Sequence, residues 1–353
     1  MVRTQTSGQA DRIVAALLSN RVERPYDHML TYQRNSLVGV SLLSLFRHSH
    51  MYRNLLVPLD GSAFSDRAMS VAAEIARRSG AVVHLAAVVD PSVYVPFVTG
   101  EIALPVFDAA LTEAACQRDQ QLLDGHVTAL SAQGVTAVAH VLEGLVVESL
   151  AECAVNLQAD LVVMTTHGRS GFSRLRMGSV ASAFLSRASA PVLLVRGGDD
   201  EPASVPSGML LCAVDGSPRS ETIVSHAARF ARLLNMPMGL MAVSVPRPMP
   251  MSPFGTELLA DPAALDAEAG VLADYLASLL PQCPAGTTTS VLTDLTVVST
   301  ILEEAERVHA GAIALSTHGR SGFGRLMLGS VADALIRRST LPLLVYRPSD
   351  EAK

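Results

Sequence analysis

The sequence predicts an α/β protein built from two tandem doubly wound sheets, each with five parallel strands. Three observations lead to this prediction. Short apolar segments alternate with segments of helical periodicity along most of the chain. The peptide THGRSGF occurs at 166–172 and again at 317–323, each time followed by GSVA at the same distance. A chain of 353 residues also exceeds what one hydrophobic core usually organises.

The first predicted strand is the apolar segment 54–59, which ends at Asp60-Gly61-Ser62. Apolar residues then recur at helical spacing until Gly80, a residue type that commonly ends helices. This order of strand, turn, helix and stop is the repeating unit of a parallel sheet with right-handed crossovers.

The remaining elements follow the same pattern in both copies. In the first copy, further strands are predicted at 81–89, 135–142, 160–165 and 191–196, and helices at 106–132, 146–157 and 178–189. In the second copy, strands are predicted at 209–214, 237–245, 287–293, 311–316 and 342–347. A long Pro-rich connection follows the second strand of each copy, and either a cover over a ligand or a plain solvent loop is compatible with it.

The duplication defines the domains. When Asp60 is aligned with Asp215, the two halves superpose over nearly their whole length. The predicted domains are 51–197 and 208–348, joined by a linker at 198–207 that is rich in Gly, Pro, Ser and acidic residues.

The N-terminal extension, 1–50, has no counterpart in the second copy, and we expect it to be disordered. An apolar helical face at 10–18 and the apolar segment 37–46 leave open that it contacts a partner or a membrane surface. Alternatively, Met51 is the functional start. No apolar segment reaches the roughly 18 to 20 residues of a spanning helix, so no stable membrane insertion is expected.

Composition excludes several other classes. The formal net charge is −6 and neither domain carries a basic patch, which disfavours nucleic-acid binding. The cysteines lie far apart and without metal-ligand spacing, so neither a disulfide framework nor a structural metal site is indicated. They are Cys116, Cys153, Cys212 and Cys283. A cytoplasmic location is the expectation.

Ligand binding is expected at the loops after the first and fourth strands, because ligands of doubly wound sheets bind beyond the carboxyl ends of the strands. Gly178-Ser179 begins a predicted helix, and glycine with a helix N-terminus makes an anion site. Ser179 would cap the helix or donate its hydroxyl to a phosphate, and an empty capped turn is the alternative. Gly329-Ser330 repeats the arrangement.

These loops resemble those of tandem universal stress proteins, over nearly the whole chain beyond residue 52. ATP-binding members carry the pattern G-x2-G-x9-G-[ST] after the fourth strand. The matching residues are Gly168, Gly178 and Ser179 in the first copy and Gly319, Gly329 and Ser330 in the second. The leading glycine is replaced by Thr165 and Ser316.

The resemblance implies an adenine nucleotide alpha hydrolase-like fold and one bound ATP per domain, with magnesium near Asp60 and Asp215. These carboxylates would accept hydrogen bonds from ribose hydroxyls, although capping of the following helix is the alternative. Pro58 and Ala213 would flank the nucleoside, and Val88 and Val243 would contact adenine. The implied nucleotide-binding set is Pro58, Asp60, Val88, Thr165, Gly168, Gly178, Ser179 and Val180, with Ala213, Asp215, Val243, Ser316, Gly319, Gly329, Ser330 and Val331.

The function that follows is ATP binding in a stress response, acting through a nucleotide-dependent change of conformation or assembly and without catalytic residues. A nucleotide-free interaction scaffold is the alternative, because Thr165 and Ser316 alter the phosphate loop; a slow ATP hydrolase is less favoured. The apolar fifth strands, 192–195 and 343–345, are candidates for pairing the two domains or two chains in a homodimer.

Overall fold

The computed structural model describes residues 52–91, 93–94, 105–106, 109–166, 178–196, 205–246, 262–318 and 328–348. The extension 1–50, most of the predicted linker, and both Gly168 and Gly319 lie outside the described residues.

Strands and helices alternate as predicted. The strands are β1 (Asn54–Pro58), β2 (Val82–Val89), β3 (Val93–Tyr94), β4 (Pro105–Val106), β5 (Ala137–Glu143), β6 (Leu161–Thr165), β7 (Val192–Val195), β8 (Met209–Ala213), β9 (Met238–Ser244), β10 (Thr288–Thr293), β11 (Ala310–Ser316) and β12 (Leu343–Tyr346). The helices are α1 (Ala63–Ser79), α2 (Ala109–Ala132), α3 (Val146–Asn156), α4 (Ser179–Leu185), α5 (Pro218–Leu234), α6 (Pro262–Leu279), α7 (Val297–Arg307) and α8 (Ser330–Arg338).

Two details differ from the sequence prediction. The helix expected over 178–189 ends at Leu185, with Ser186 as its C-cap. The connection after β2 contains the short antiparallel pair β3–β4, which the sequence did not predict because two-residue strands carry no periodicity.

The main sheet has the strand order β10-β9-β8-β11-β12-β7-β6-β1-β2-β5. Within each copy all five strands are parallel and the order reverses between the first and fourth strands, which confirms the predicted doubly wound arrangement. The fifth strands, β7 and β12, pair antiparallel, with Leu343 opposite Leu194 and Val345 opposite Val192. The two predicted five-stranded sheets are therefore joined edge to edge into one ten-stranded sheet, and β3 and β4 form a separate two-stranded sheet.

Apolar strands that are covered on both faces explain the high proportion of apolar residues in the sequence. In β1, Leu55 and Val57 face one core and Leu56 faces the other, and all three are fully buried. The first core packs against α1, α2, α5 and α6, and the second against α3, α4, α7 and α8. Each core contains residues of both copies, so burial on either face of the sheet is continuous across the duplication.

A polar cluster also connects the copies beside the first core. The guanidinium of Arg229 on α5 lies 3.0 Å from Oδ1 of Asp160 and 4.1 Å above the ring of Tyr52. The other carboxylate oxygen of Asp160 accepts the backbone N–H groups of Arg53 and Asn54. Tyr52 is buried, and this burial raises the pKa of its hydroxyl. Ion pair, ring contact and backbone bonds thus converge on Asp160 and Arg229.

Replacing Arg229 by alanine should lower the free energy of unfolding by about 1–3 kcal/mol, because a partly buried carboxylate loses a charged hydrogen bond and a buried ring loses its cation. The matched control is Arg337→Ala, which removes an exposed pair with Asp333 within α8 and should cost less than about 0.5 kcal/mol. Urea unfolding measures both. Equal losses in the two variants would contradict a special role for Arg229.

Candidate functional site

Each copy has a cavity at the carboxyl edge of its strands, where the strand order reverses. Its volume is about 370 Å³ in the first copy and about 260 Å³ in the second. The first cavity is lined by the predicted residues Pro58, Asp60, Val88, Thr165, Gly178, Ser179 and Val180. The second is lined by Ala213, Asp215, Val243, Ser316, Gly329, Ser330 and Val331. The fold therefore brings together every predicted site residue that the structure describes.

The carboxylate of Asp60 organises the turn that follows β1. Its Oδ1 accepts the backbone N–H of Ser62 at 3.0 Å and the Ser62 hydroxyl at 2.6 Å. Ser62 is the N-cap of α1, and its hydroxyl oxygen accepts the N–H of Ser65 at 3.3 Å. The alternative that Asp60 caps the following helix at Ser62 or Ala63 holds in part: its carboxylate accepts the Ser62 N–H, but Ser62 is the N-cap residue and the aspartate orients it.

The second copy builds the same turn. Oδ1 of Asp215 accepts the N–H of Ser217 at 3.0 Å, and Ser217 caps α5. The backbone N–H of Asp215 donates in turn to the hydroxyl of Ser220 at 3.1 Å. Gly216 has φ 82°, a conformation that glycine adopts without steric cost. The aspartate is thus held in one orientation at the cavity wall by bonds to its own loop.

The glycine at the start of the last helix is required by a close backbone approach. Gly329 donates its N–H to the carbonyl oxygen of Thr317 at 2.8 Å, and a Cβ on Gly329 would meet that same oxygen at 2.8 Å. Its φ of −60° is ordinary, so conformational freedom is not the reason. Gly178 makes the equivalent bond to Thr166 at 2.7 Å.

The two glycines are also the N-caps, which corrects one expectation. Gly178 and Gly329 occupy the cap positions of α4 and α8 without a side-chain cap bond. Ser179 and Ser330 are the first helical residues and do not cap. Both serines line their cavities, and neither is a helix cap.

Thr165 and Ser316, which replace the family's leading glycine, are the last residues of β6 and β11. Neither is among the described residues with positive φ, so the strand conformation accepts a side chain here without strain. In the second copy the Ser316 hydroxyl accepts the N–H of His318 at 3.5 Å, and the Thr317 hydroxyl lies 2.8 Å from Nδ1 of His318. His318 therefore takes part in hydrogen bonds within its own loop; His167 lies outside the described residues.

Comparison with known proteins identifies the family. The sequence model of the universal stress protein family matches residues 51–196 and 209–347. The chain belongs to the universal stress protein family. A universal stress protein of Mycolicibacterium smegmatis is 28% identical over 301 residues, covering 83% of this chain and 97% of that protein. One from Methanocaldococcus jannaschii is 33% identical over 158 residues, 44% of this chain and 89% of that protein.

Solved universal stress proteins share the fold. A structure from Archaeoglobus fulgidus has a TM-score of 0.60 at 17% identity and covers 86% of this chain and 98% of that one. A putative universal stress protein from Pseudomonas aeruginosa has a TM-score of 0.58 at 15% identity, covering 86% and 96%. The fold thus recurs over most of this chain at low identity.

Among the acidic residues that line the cavities of this universal stress protein, Asp119 was missed by the sequence analysis. Asp119 on α2 lines the first cavity, is nearly buried, and accepts two bonds from the guanidinium of Arg118 at 2.7 and 2.9 Å. The sequence pattern that could have pointed to it is helical spacing, because Asp119 lies four residues before Leu123 on the buried face of α2. A carboxylate on an apolar helical face indicates a polar cavity beneath it.

Three further features of the described residues concern membrane helices, cysteines and metal ligands. No described helix is long and apolar enough to cross a membrane. The four cysteines are free thiols. Within the described part of the chain no cluster of three or more potential ligands could hold a metal ion.

Replacing Gly329 by alanine should lower the free energy of unfolding by about 1–3 kcal/mol, because the added methyl overlaps the Thr317 carbonyl. The matched control is Gly270→Ala in α6, where nothing lies within 4 Å of the added atom. Alanine there should stabilise by about 0.5–1 kcal/mol, since glycine is a poor helix former. Urea unfolding would contradict the close-approach argument if both variants changed stability in the same direction.

Proposed function

We propose that each copy binds one adenine nucleotide, ATP with Mg²⁺, between the aspartate turn after its first strand and the glycine-serine start of its last helix. The observation that carries this proposal is the repetition of one arrangement. In both copies an aspartate, an apolar residue from the end of the second strand, and a glycine-capped helix line a single cavity.

The glycine-capped helix suits phosphate oxygens. In α8 the first intrahelical bond runs from the N–H of Asp333 to the carbonyl of Gly329, so the amides of Ser330 and Val331 precede it. These amides and the positive end of the helix dipole favour an anion, and the Ser330 hydroxyl adds a donor. Gly178 and Ser179 supply the same groups in the first copy.

The opposite wall suits a nucleoside. Asp60 and Asp215 line it with carboxylates that accept ribose hydroxyls or contribute to holding Mg²⁺. Next to them, Val88 and Val243 are half-buried apolar residues against which an adenine ring can pack. Pro58 in one copy and Ala213 in the other complete this side of the cavity.

We further propose that occupancy carries the activity in a stress response. A ligand that binds only one arrangement of the protein stabilises it in proportion to the logarithm of its concentration over Kd. Nucleotide would therefore bias a change of conformation or of assembly, either between the copies or between two chains in the cytoplasm. Turnover is not required for this.

The binding proposal is tested with the full chain. Mass spectrometry of the denatured protein detects co-purified nucleotide, and calorimetry with ATP and Mg²⁺ should give two sites per chain. The double variant Val88→Phe/Val243→Phe fills both cavities and should weaken binding at least about tenfold, or about 1.4 kcal/mol. Each single variant should leave one site.

The control places the same substitutions at exposed positions outside the cavities, Val155→Phe and Val271→Phe, and should bind ATP as the parent chain does. Folded parent protein with no bound nucleotide and no thermal shift with ATP and Mg²⁺ would overturn the proposal in favour of the nucleotide-free scaffold.

Time-resolved phosphate release tests occupancy against turnover. We expect no release beyond one equivalent per site over many minutes, because binding alone shifts the equilibrium. Sustained release that the double variant Val88→Phe/Val243→Phe abolishes would make the protein a slow ATP hydrolase.

A further inference from the structure

Two histidines of the first copy lie in direct contact on neighbouring strands. His84 on β2 and His140 on β5 approach with Nδ1 of His84 3.0 Å from Nε2 of His140. His84 alternates with Val83 and Leu85, which belong to the core beneath α1 and α2, so the pair lies on the opposite face of the sheet. Neither ring lines the nucleotide cavity.

The hydrogen bonds around His84 determine its protonation. The Asn54 side-chain amide donates through Nδ2 to the carbonyl of Leu157 at 2.9 Å, so its Oδ1 is the atom 3.3 Å from Nε2 of His84. An amide oxygen accepts only, and His84 therefore carries its proton on Nε2. Its Nδ1 lone pair then points at His140, which donates from Nε2 in the metal-free protein.

We propose that His84 and His140 form a binding site for one late first-row divalent metal ion, Cu²⁺ most tightly and Zn²⁺ more weakly, with water completing the coordination. Imidazole nitrogen suits both ions, and Cu²⁺ precedes Zn²⁺ in the general order of affinity. On binding, the His140 proton moves from Nε2 to Nδ1, so both facing nitrogens present lone pairs and no net proton is released.

The separation of the two nitrogens matches a chelate. Metal–nitrogen bonds of about 2.0–2.1 Å, at angles between about 90° for square-planar and about 109° for tetrahedral geometry, place two ligand nitrogens about 2.8–3.4 Å apart. The observed 3.0 Å lies in this interval. The separation therefore fits before the ion arrives, and the rings would turn so that both lone pairs converge on it.

The bond from His84 to Asn54 is the kind of outer support that metal-ligating histidines have. A ligating imidazole donates its other N–H to an oxygen, which sets the tautomer and the ring orientation. Here that oxygen is itself held by the bond from Asn54 to Leu157. The support is present before any metal arrives.

Solvent reaches the pair. Both histidines are only partly buried, and Val138, two residues from His140 on the same face of edge strand β5, is 41% exposed. A metal ion and the waters that complete its coordination can therefore reach the site.

The second copy provides an internal comparison. His84 pairs in register with Leu56, and the equivalent of Leu56, Leu211, pairs with Gly239. His140 pairs with Ala86, and the equivalent strand position in the second copy is Ser290, opposite Met241. Glycine and serine replace the two histidines, so we expect one metal ion per chain.

The experiment titrates Cu²⁺ and Zn²⁺ into the chelator-treated full chain by calorimetry, with electron paramagnetic resonance of the Cu²⁺ complex. One ion per chain with two coupled nitrogens is expected. The decisive variant is His140→Gln, whose amide still donates to His84 Nδ1 but ligates metal poorly. It should weaken binding at least about tenfold, the lower bound for losing even an outer-shell partner.

Two controls separate this site from other histidines. His126→Gln alters a histidine that contacts Asp66 on another face and should bind as the parent chain does. His48→Ala/His50→Ala removes a His-Ser-His sequence in the extension and should keep the two-nitrogen signal. Unchanged Cu²⁺ affinity and spectrum in His140→Gln, or a signal lost only with His48 and His50, would overturn the proposal and leave a structural hydrogen bond.

Discussion

The antiparallel pairing of β7 with β12 is the constraint on which the rest of the molecule depends. Both strands are almost entirely apolar and are buried on both faces. An apolar strand at the edge of a sheet would expose unpaired backbone groups beside hydrophobic side chains, which favours association. Pairing the two edges removes this exposure and lets each core continue from one copy into the other. The Arg229–Asp160 pair lies beside this joint.

The same geometry positions both cavities. In each half the strand order reverses between the first and fourth strands, so two loops separate and leave a crevice. The aspartate turn is held on one side by its own serine, and the glycine cap is held on the other by a carbonyl 2.7–2.8 Å away. Buried strands lead into both walls, so a ligand between them would contact groups that hydrogen bonds already orient.

The carboxyl edge of the sheet, where the cavities lie, is similar in the two copies, whereas other positions differ. Among the residues that line the two cavities, Asp119 gives the first cavity a second carboxylate beside Asp60. The second cavity is lined by the carboxylate of Asp215. The histidine pair and its supporting Asn54 belong to the first copy, where the second has Met209, Gly239 and Ser290 at the matching strand positions. The two halves thus share a fold and a nucleotide-type crevice without being chemically equivalent.

The sequence by itself determined the alternation of strands and helices and the tandem repeat, because periodicity and turn chemistry are local properties. Most residues of each crevice came from the resemblance of these loops to those of universal stress proteins, and Asp119 was not among them. Only the tertiary structure showed that Gly329 is needed for a close approach and that Ser62 caps a helix. Only it joined His84 to His140, which are 56 positions apart. Contacts between distant strands depend on register and pairing, which no short stretch of sequence encodes.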